Sequence, residues 1–261
     1  MGGKHFDDFE REVSTAIQVS RDEATDLTER LETLGINKRV INEFLVEPLE
    51  MVTNPALAVI RGQYPGNRIS SARLRIEDDP SFHDAVFTFK GTQKAEDVLK
   101  KKRKDVPADS SKPSKRREVN FPLDQIAEST AGLATPESFI KLLEPLIHGA
   151  TVRTRFDCSE ILEGIFTLPL HVHIDIFDSH EEEQLVKVDL EVETDEALKI
   201  VNDDRAEVFE MIRRTLGLEI PLLVEEARSS KEDLAIAYSR NGKAEKLPSQ
   251  YYDELKAKRN Q

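Results

Sequence analysis

The chain has one cysteine, no tryptophan and few aromatic residues, 6% in all. With only Cys158 available, an internal disulfide framework is excluded, and a reducing, cytoplasmic setting is expected. Cys158 itself follows a strand pattern and is expected to be a packed residue, not a nucleophile. No apolar run approaches the roughly 18–20 residues that a bilayer span requires, so no membrane helix is expected. The opening MGGKHFDDFERE is acidic and has no apolar stretch, so no secretory leader is expected either. Positive charge is also short: 37 Lys and Arg against 50 Asp and Glu leave −13, which argues against a general nucleic-acid binder. There is no phosphate-binding Gly-rich loop, no Cys/His zinc spacing and no Gly-x-Ser-x-Gly elbow.

What is present suits a soluble chain with ample core: 261 residues, 38% hydrophobic and 33% charged. The charge is uneven. Residues 90–117 carry a net +7, so the remainder carries −20. Within that island, KKKRK followed by PADSSKPSK has the composition of a solvated, disordered loop over residues 92–115. It suits a nuclear-import signal or an RNA or polyphosphate contact, or simply a charged insertion between two strands.

Phe6, Phe9, Val13 and Ile17 recur at helical spacing over 6–19. Ser20 and Glu23 then form a capping box for a helix with Leu27, Leu31 and Leu34 on one face and Gly35 as its stop. Residues 1–35 are thus expected to be a helical appendage, suited to packing or to homodimer formation. Strand patterns follow at 38–46, 57–64, 69–77, 84–91, 116–122, 150–157, 168–178 and 185–194, although Val40, Ile41, Phe44 and Leu45 also suit a helix. Turn signals such as Pro65-Gly66-Asn67 favour an antiparallel meander. Thr135-Pro136 opens a helix over 135–147. Beyond Asp195 the pattern is helical again, with a second stretch near 222–238 and a polar, loosely held end. The expected fold is α+β: a mostly antiparallel, eight-stranded closed or nearly closed β-barrel over 36–194, followed by C-terminal helices over 195–261.

Several of these strands place like charges two residues apart, and so on one face. Arg73 and Arg75 form one pair, Arg153 and Arg155 another, and Glu191 and Glu193 a third. Thr88 with Lys90, Arg116 with Glu118, and His173 with Asp175 keep the same spacing. A face lined with arginines and then carboxylates suits an anion held together with a metal ion. The plain alternative is a sheet with one solvated face, where charge alternates because water is there.

Taken in order, FLV at 44–46, IRGQY at 60–64, RLR at 73–75, TFKG at 88–91, Arg116-Arg117-Glu118, Arg153-Thr154-Arg155, IDIF at 174–177 and Glu191-Val192-Glu193 resemble the CYTH family, the triphosphate tunnel metalloenzymes. The resemblance covers roughly 38–194. It implies a barrel whose interior binds a triphosphate chain and Mg²⁺ or Mn²⁺. It also implies Arg73, Arg75, Lys90, Arg116, Arg153 and Arg155 as substrate-binding residues, with Glu118, Glu191 and Glu193 as metal ligands and catalytic carboxylates, joined by Asp189 on the same face. The family's first acidic pair and lysine have no counterpart in the register set by Phe44-Leu45-Val46, which gives Arg39, Ile41 and Glu43. Glu10 and Glu12 have the right spacing but fall in the expected N-terminal helix. The implied activity is metal-dependent hydrolysis of inorganic triphosphate, a nucleoside triphosphate or an RNA 5′ end. The alternatives are a non-catalytic polyphosphate-binding module, an adenylate cyclase, and an interaction protein using its terminal helices.

Overall fold

The structure is a computed structural model that describes residues 8–10, 12–47, 53–64, 68–77, 85–92, 116–166, 170–178, 182–192, 194–223 and 246–259. Its centre is one antiparallel sheet of nine segments. They are β1 (Asp8–Glu10), β2 (Glu12–Ser20), β3 (Lys38–Val46), β4 (Arg68–Glu77), β5 (Ala85–Thr92), β6 (Arg116–Pro122), β7 (Ile147–Asp157), β8 (Leu170–Phe177) and β9 (Glu183–Val192). The spatial order is β1-β6-β5-β4-β3-β7-β8-β9-β2. β1 and β2 are therefore the two edges, although only residue 11 lies between them in the chain.

Helices α1 (Arg21–Thr33), α2 (Pro55–Gln63), α3 (Pro136–Leu143), α4 (Asp195–Asp203), α5 (Arg205–Leu216) and α6 (Pro248–Arg259) accompany the sheet. Apolar residues of β2, β8 and β9 pack with α1, α4 and α5 in one core. Those of β3 to β6 pack with α2, α3 and α6 in the other. There Phe87 stands edge-on to Phe89 and to Phe139, with centroids 5.0 and 5.5 Å apart. Deleting one such ring typically costs about 3–5 kcal/mol. Because the helices take one face of the sheet, its alternating charged positions are left on the other.

Three sequence expectations are corrected, and of the expected closed barrel the structure shows an antiparallel sheet with two edges. Residues 12–20 are a strand, not a helix, so the N-terminal segment is no separate helical appendage. The helical spacing of Val13 and Ile17 coincides with a second pattern, β-branched residues at Val13, Thr15, Ile17 and Val19, and that alternation suits a pleated strand. Residues 57–64 are largely helical, not a strand. Asn54 caps α2 by accepting from the Ala56 and Leu57 amides, and Pro55 takes the first turn, where its missing N–H costs nothing. The chain's polar end is also more ordered than its composition implies, since α6 docks Tyr252 and Leu255 into the second core. By contrast, α1 carries the expected capping box, with the Ser20 and Glu23 bonds both formed. The helix expected near 222–238 and the basic island beyond Thr92 lie largely outside the described residues. Among the described residues, no helix is long and apolar enough to cross a membrane.

α5 ends at Gly217, whose φ of +63° lies in the left-handed region. Arg30 of α1 donates from Nε to the Leu216 carbonyl at 2.9 Å, tying the two helices together. A Cβ at position 217 would lie 2.6 Å from Arg30 Nη2. Gly217→Ala is therefore expected to lower stability by about 1–2 kcal/mol, the usual cost of a left-handed alanine. The urea midpoint measures it; an unchanged midpoint would show that the turn relaxes without loss.

Candidate functional site

On β9 the outward Val186, Val188, Leu190 and Val192 join the first core, which turns Lys187, Asp189 and Glu191 to the opposite face. The same alternation turns Arg153 and Arg155 of β7, Asp175 of β8, Glu43 of β3, and Arg73 and Arg75 of β4 to that face. A solvated sheet face would leave these side chains in water. Instead Glu43 is 1% exposed and Asp175 0%. The face is buried at these positions.

These side chains form one continuous series of ion pairs. Arg73 Nη1 donates to Glu43 Oε1 at 2.9 Å, and Glu43 Oε2 lies 3.2 Å from Arg153 Nη2. Arg153 Nε is 3.5 Å from Asp175, which Arg155 grips in a two-pronged contact at 2.7 and 2.8 Å. Arg155 also reaches Asp189 at 3.6 Å, and Lys187 bridges Asp189 at 2.5 Å and Glu12 of β2 at 3.0 Å. Towards β4, Arg39 and Arg75 flank Glu77 at 3.6 and 3.9 Å.

The titration behaviour follows from this layout. Burial would raise the Asp175 pKa, but Arg153 and Arg155 overcome it and hold the carboxylate well below its ordinary range. Burial would likewise lower Lys187, yet Asp189 and Glu12 hold the ammonium above its usual value. At the β2–β9 side the balance is reversed. Burial and then the Glu12 charge push both Asp189 and Glu191 upward. Negative charge is therefore in local surplus where Glu12 stands opposite Glu191. Arg155, and after it Lys90 of β5, offset part of the Glu191 shift.

His173 lies between Asp157 at 3.8 Å and Glu191 at 3.7 Å. Burial, and next the Arg155 charge, lower its pKa to about 4. Because the unfolded ring titrates near 6.5, the unfolded state takes up the proton first, and this group's share of stability is lost as pH falls from about 6.5 to about 4. NMR titration of the His173 ring is expected to show a neutral imidazole at pH 7 with a midpoint near 4. A midpoint near 6.5 would place the ring in solvent.

Of the residues singled out from sequence, Arg73, Arg75, Lys90, Arg153, Arg155 and Glu191 are brought to the sheet face opposite the helices. Arg116 and Glu118 have their backbone in β6, but their side chains, like all of Glu193, lie outside the described residues. Four participants escape the sequence argument: Glu12, Glu43, Glu77 and Lys187. Glu12 matters most. Its segment is a strand paired with β9, which brings the Glu12 carboxylate to Lys187 and opposite Glu191. Cys158 is fully buried, and burial raises its thiol pKa to about 12, so it is inert as a nucleophile. Among the described residues, no three of His, Cys, Asp and Glu converge as metal ligands.

No protein-family profile and no curated protein matches the chain. Solved structures do. A proposed adenylyl cyclase from Hippeastrum, described as having a dominant triphosphatase activity, is 12% identical with a TM-score of 0.43, covering 87% of this chain and 95% of that one. A protein from Pyrococcus horikoshii is 14% identical with a TM-score of 0.41, covering 86% and 98%. A proposed adenylate cyclase from Vibrio parahaemolyticus is 15% identical with a TM-score of 0.38, covering 88% and 99%. At such values the likeness carries no functional weight, which rests on this chain's own residues.

Proposed function

We propose that this chain is a divalent-metal-dependent phosphohydrolase acting on a triphosphate-bearing substrate, with the sheet curled and closed into a tunnel where the chain runs from β1 to β2. The supporting observation is the enclosed arginine wall, in which Glu43 and Asp175 hold Arg73, Arg153 and Arg155 in fixed orientation. Guanidinium groups match phosphate oxygens in two-pronged geometry, and their preset placement removes part of the ordering cost of binding.

The carboxylate surplus of Glu12, Asp189 and Glu191 gives the opposite side of the interior hard oxygen donors whose raised pKa values a divalent cation would relieve. These donors suit Mg²⁺ or Mn²⁺, and Glu10, Glu118 and Glu193 are the candidates to complete the set. Such a cation would neutralise charge on the phosphate chain and lower the pKa of a bound water. Lys187 supplies an ammonium beside Glu12. In hydrolysis the water oxygen attacks the terminal phosphorus and the bridging P–O bond breaks, so the products are orthophosphate and the shortened chain.

The alternative reading is a non-catalytic module that binds phosphate through the same arginine wall. Phosphate release from tripolyphosphate, ATP and a 5′-triphosphorylated RNA, with and without Mg²⁺ or Mn²⁺, separates the two. Metal-stimulated release from at least one substrate is expected. Tight tripolyphosphate binding without turnover would establish a binding module, and neither binding nor turnover would defeat both.

A further inference from the structure

Four consecutive strands of the sheet, β3, β7, β8 and β9, pass from exposed to buried side chains in the same direction over part of their length. On β7, Asp157 is 42% exposed in its side chain and Arg153 only 5%. On β9, the Glu191 side chain is 45% exposed, whereas Asp189, Lys187 and finally Leu185 are buried. On β8, His171 is exposed and the series closes at Phe177, 1% exposed. On β3, Arg39 is partly exposed and Glu43 is not.

At the sealed end the charged face turns apolar. Ala16, Phe177 and Leu185 form a small cluster separate from both large cores, on the face that carries Lys187 and Asp175. Arg153 sits over the Phe177 ring, 5.5 Å from its centroid, so this buried guanidinium rests against the apolar cluster. From Glu191 to Leu185 is six residues of strand, a depth of roughly 20 Å before tilt is taken into account.

We infer that the interior is a blind pocket entered at the Asp157–His171–Glu191 end, and that it selects the free ends of phosphate chains over internal or cyclic phosphate. The inference deepens the phosphohydrolase proposal and rests on it. A tunnel open at both ends could thread a long polyphosphate and hold it anywhere along its length. A pocket stopped by Phe177 and Leu185 admits only a terminus. The terminal phosphoryl group carries more unbridged oxygens than an internal one, and Arg153 at the bottom is placed to read them. Whatever the chain is attached to, a nucleoside or a longer polymer, must then remain outside the mouth.

Competition against labelled tripolyphosphate, using the full chain without metal so that nothing is consumed, tests this directly. The competitors are unlabelled tripolyphosphate, cyclic trimetaphosphate and long-chain polyphosphate. The long chain is expected to compete in proportion to its molar concentration of ends. Trimetaphosphate, which has no end, is expected to bind at least about tenfold more weakly than tripolyphosphate, the equivalent of one lost charge-assisted contact. Competition by the long chain in proportion to total phosphate, or trimetaphosphate binding as tightly as tripolyphosphate, would overturn end selection while leaving the phosphate proposal standing. Absence of tripolyphosphate binding would overturn both.

Discussion

Asp175→Asn is expected to destabilise the fold by about 3–5 kcal/mol, the usual consequence of removing one partner from a buried ion pair. Asp175 is fully buried and is the shared counter-ion of Arg153 and Arg155, with Lys187 also within its field. Asparagine keeps the shape but offers one carbonyl oxygen in place of a charged pair, so the two-pronged Arg155 contact is lost and Arg153 and Arg155 keep only Glu43 and Asp189 as counter-ions. Against a total stability of about 5–15 kcal/mol, such a loss is large. Urea unfolding measures it. A change below about 1 kcal/mol would mean that water reaches these arginines and the interior is not sealed. The parent protein supplies a second check through pH. A carboxylate with a depressed folded pKa contributes stability that is complete above its unfolded value, near 3.9, and is lost only as pH falls through its folded value. The Asp175 contribution is therefore expected to be constant across neutral and mildly acidic pH, and the decline expected from about 6.5 to about 4 belongs to His173.

Glu12→Gln is expected to abolish metal-dependent turnover, by on the order of 10²-fold or more, while leaving metal-free tripolyphosphate binding unchanged or tighter. The Glu12 charge is the second cause, after burial, of the raised pKa of both Asp189 and Glu191. Removing it takes one hard oxygen donor from the cation and at the same time relieves the repulsion that an incoming anion meets. Arg73→Ala should behave in the opposite way. It removes a charge-assisted contact worth roughly 1.5–3 kcal/mol, so binding weakens with or without metal. Glu191→Gln should resemble Glu12→Gln. If Glu12→Gln and Arg73→Ala reduce binding alike and neither affects metal stimulation selectively, the division of the interior into a cationic and an acidic side is wrong.

The arginine side of this arrangement is legible in the chain because it is local. Arg73-x-Arg75 and Arg153-x-Arg155 alternate with apolar residues that the strand must bury, so the face they share follows from the period alone. The acidic side is less legible for two reasons. Glu43 acquires its role from Arg73 and Arg153, both brought in by strand register, and no local spacing encodes that partnership. Glu12 sits where Phe9, Val13 and Ile17 satisfy a helical period while Val13, Thr15, Ile17 and Val19 satisfy a strand period. Pairing with β9 along the full length of β2 decides between them. The segment 57–64 failed for the converse reason: its apolar residues suit a strand, but Asn54-Pro55 had already set a helix start.

The placement of β2 also sets a timetable for synthesis. Its backbone partners lie entirely in β9, almost at the other end of the sheet-forming chain, so β2 leaves the ribosome well before any of them. The ladder between them cannot form until residue 192 has emerged. Until then a strand rich in β-branched residues waits with its N–H and C=O groups open to any neighbouring edge. Such long-range closure is slow, because the loop entropy is lost before the contacts are made. Yield should therefore respond more to whatever shields β2 during translation than to changes in the helices that later cover the sheet.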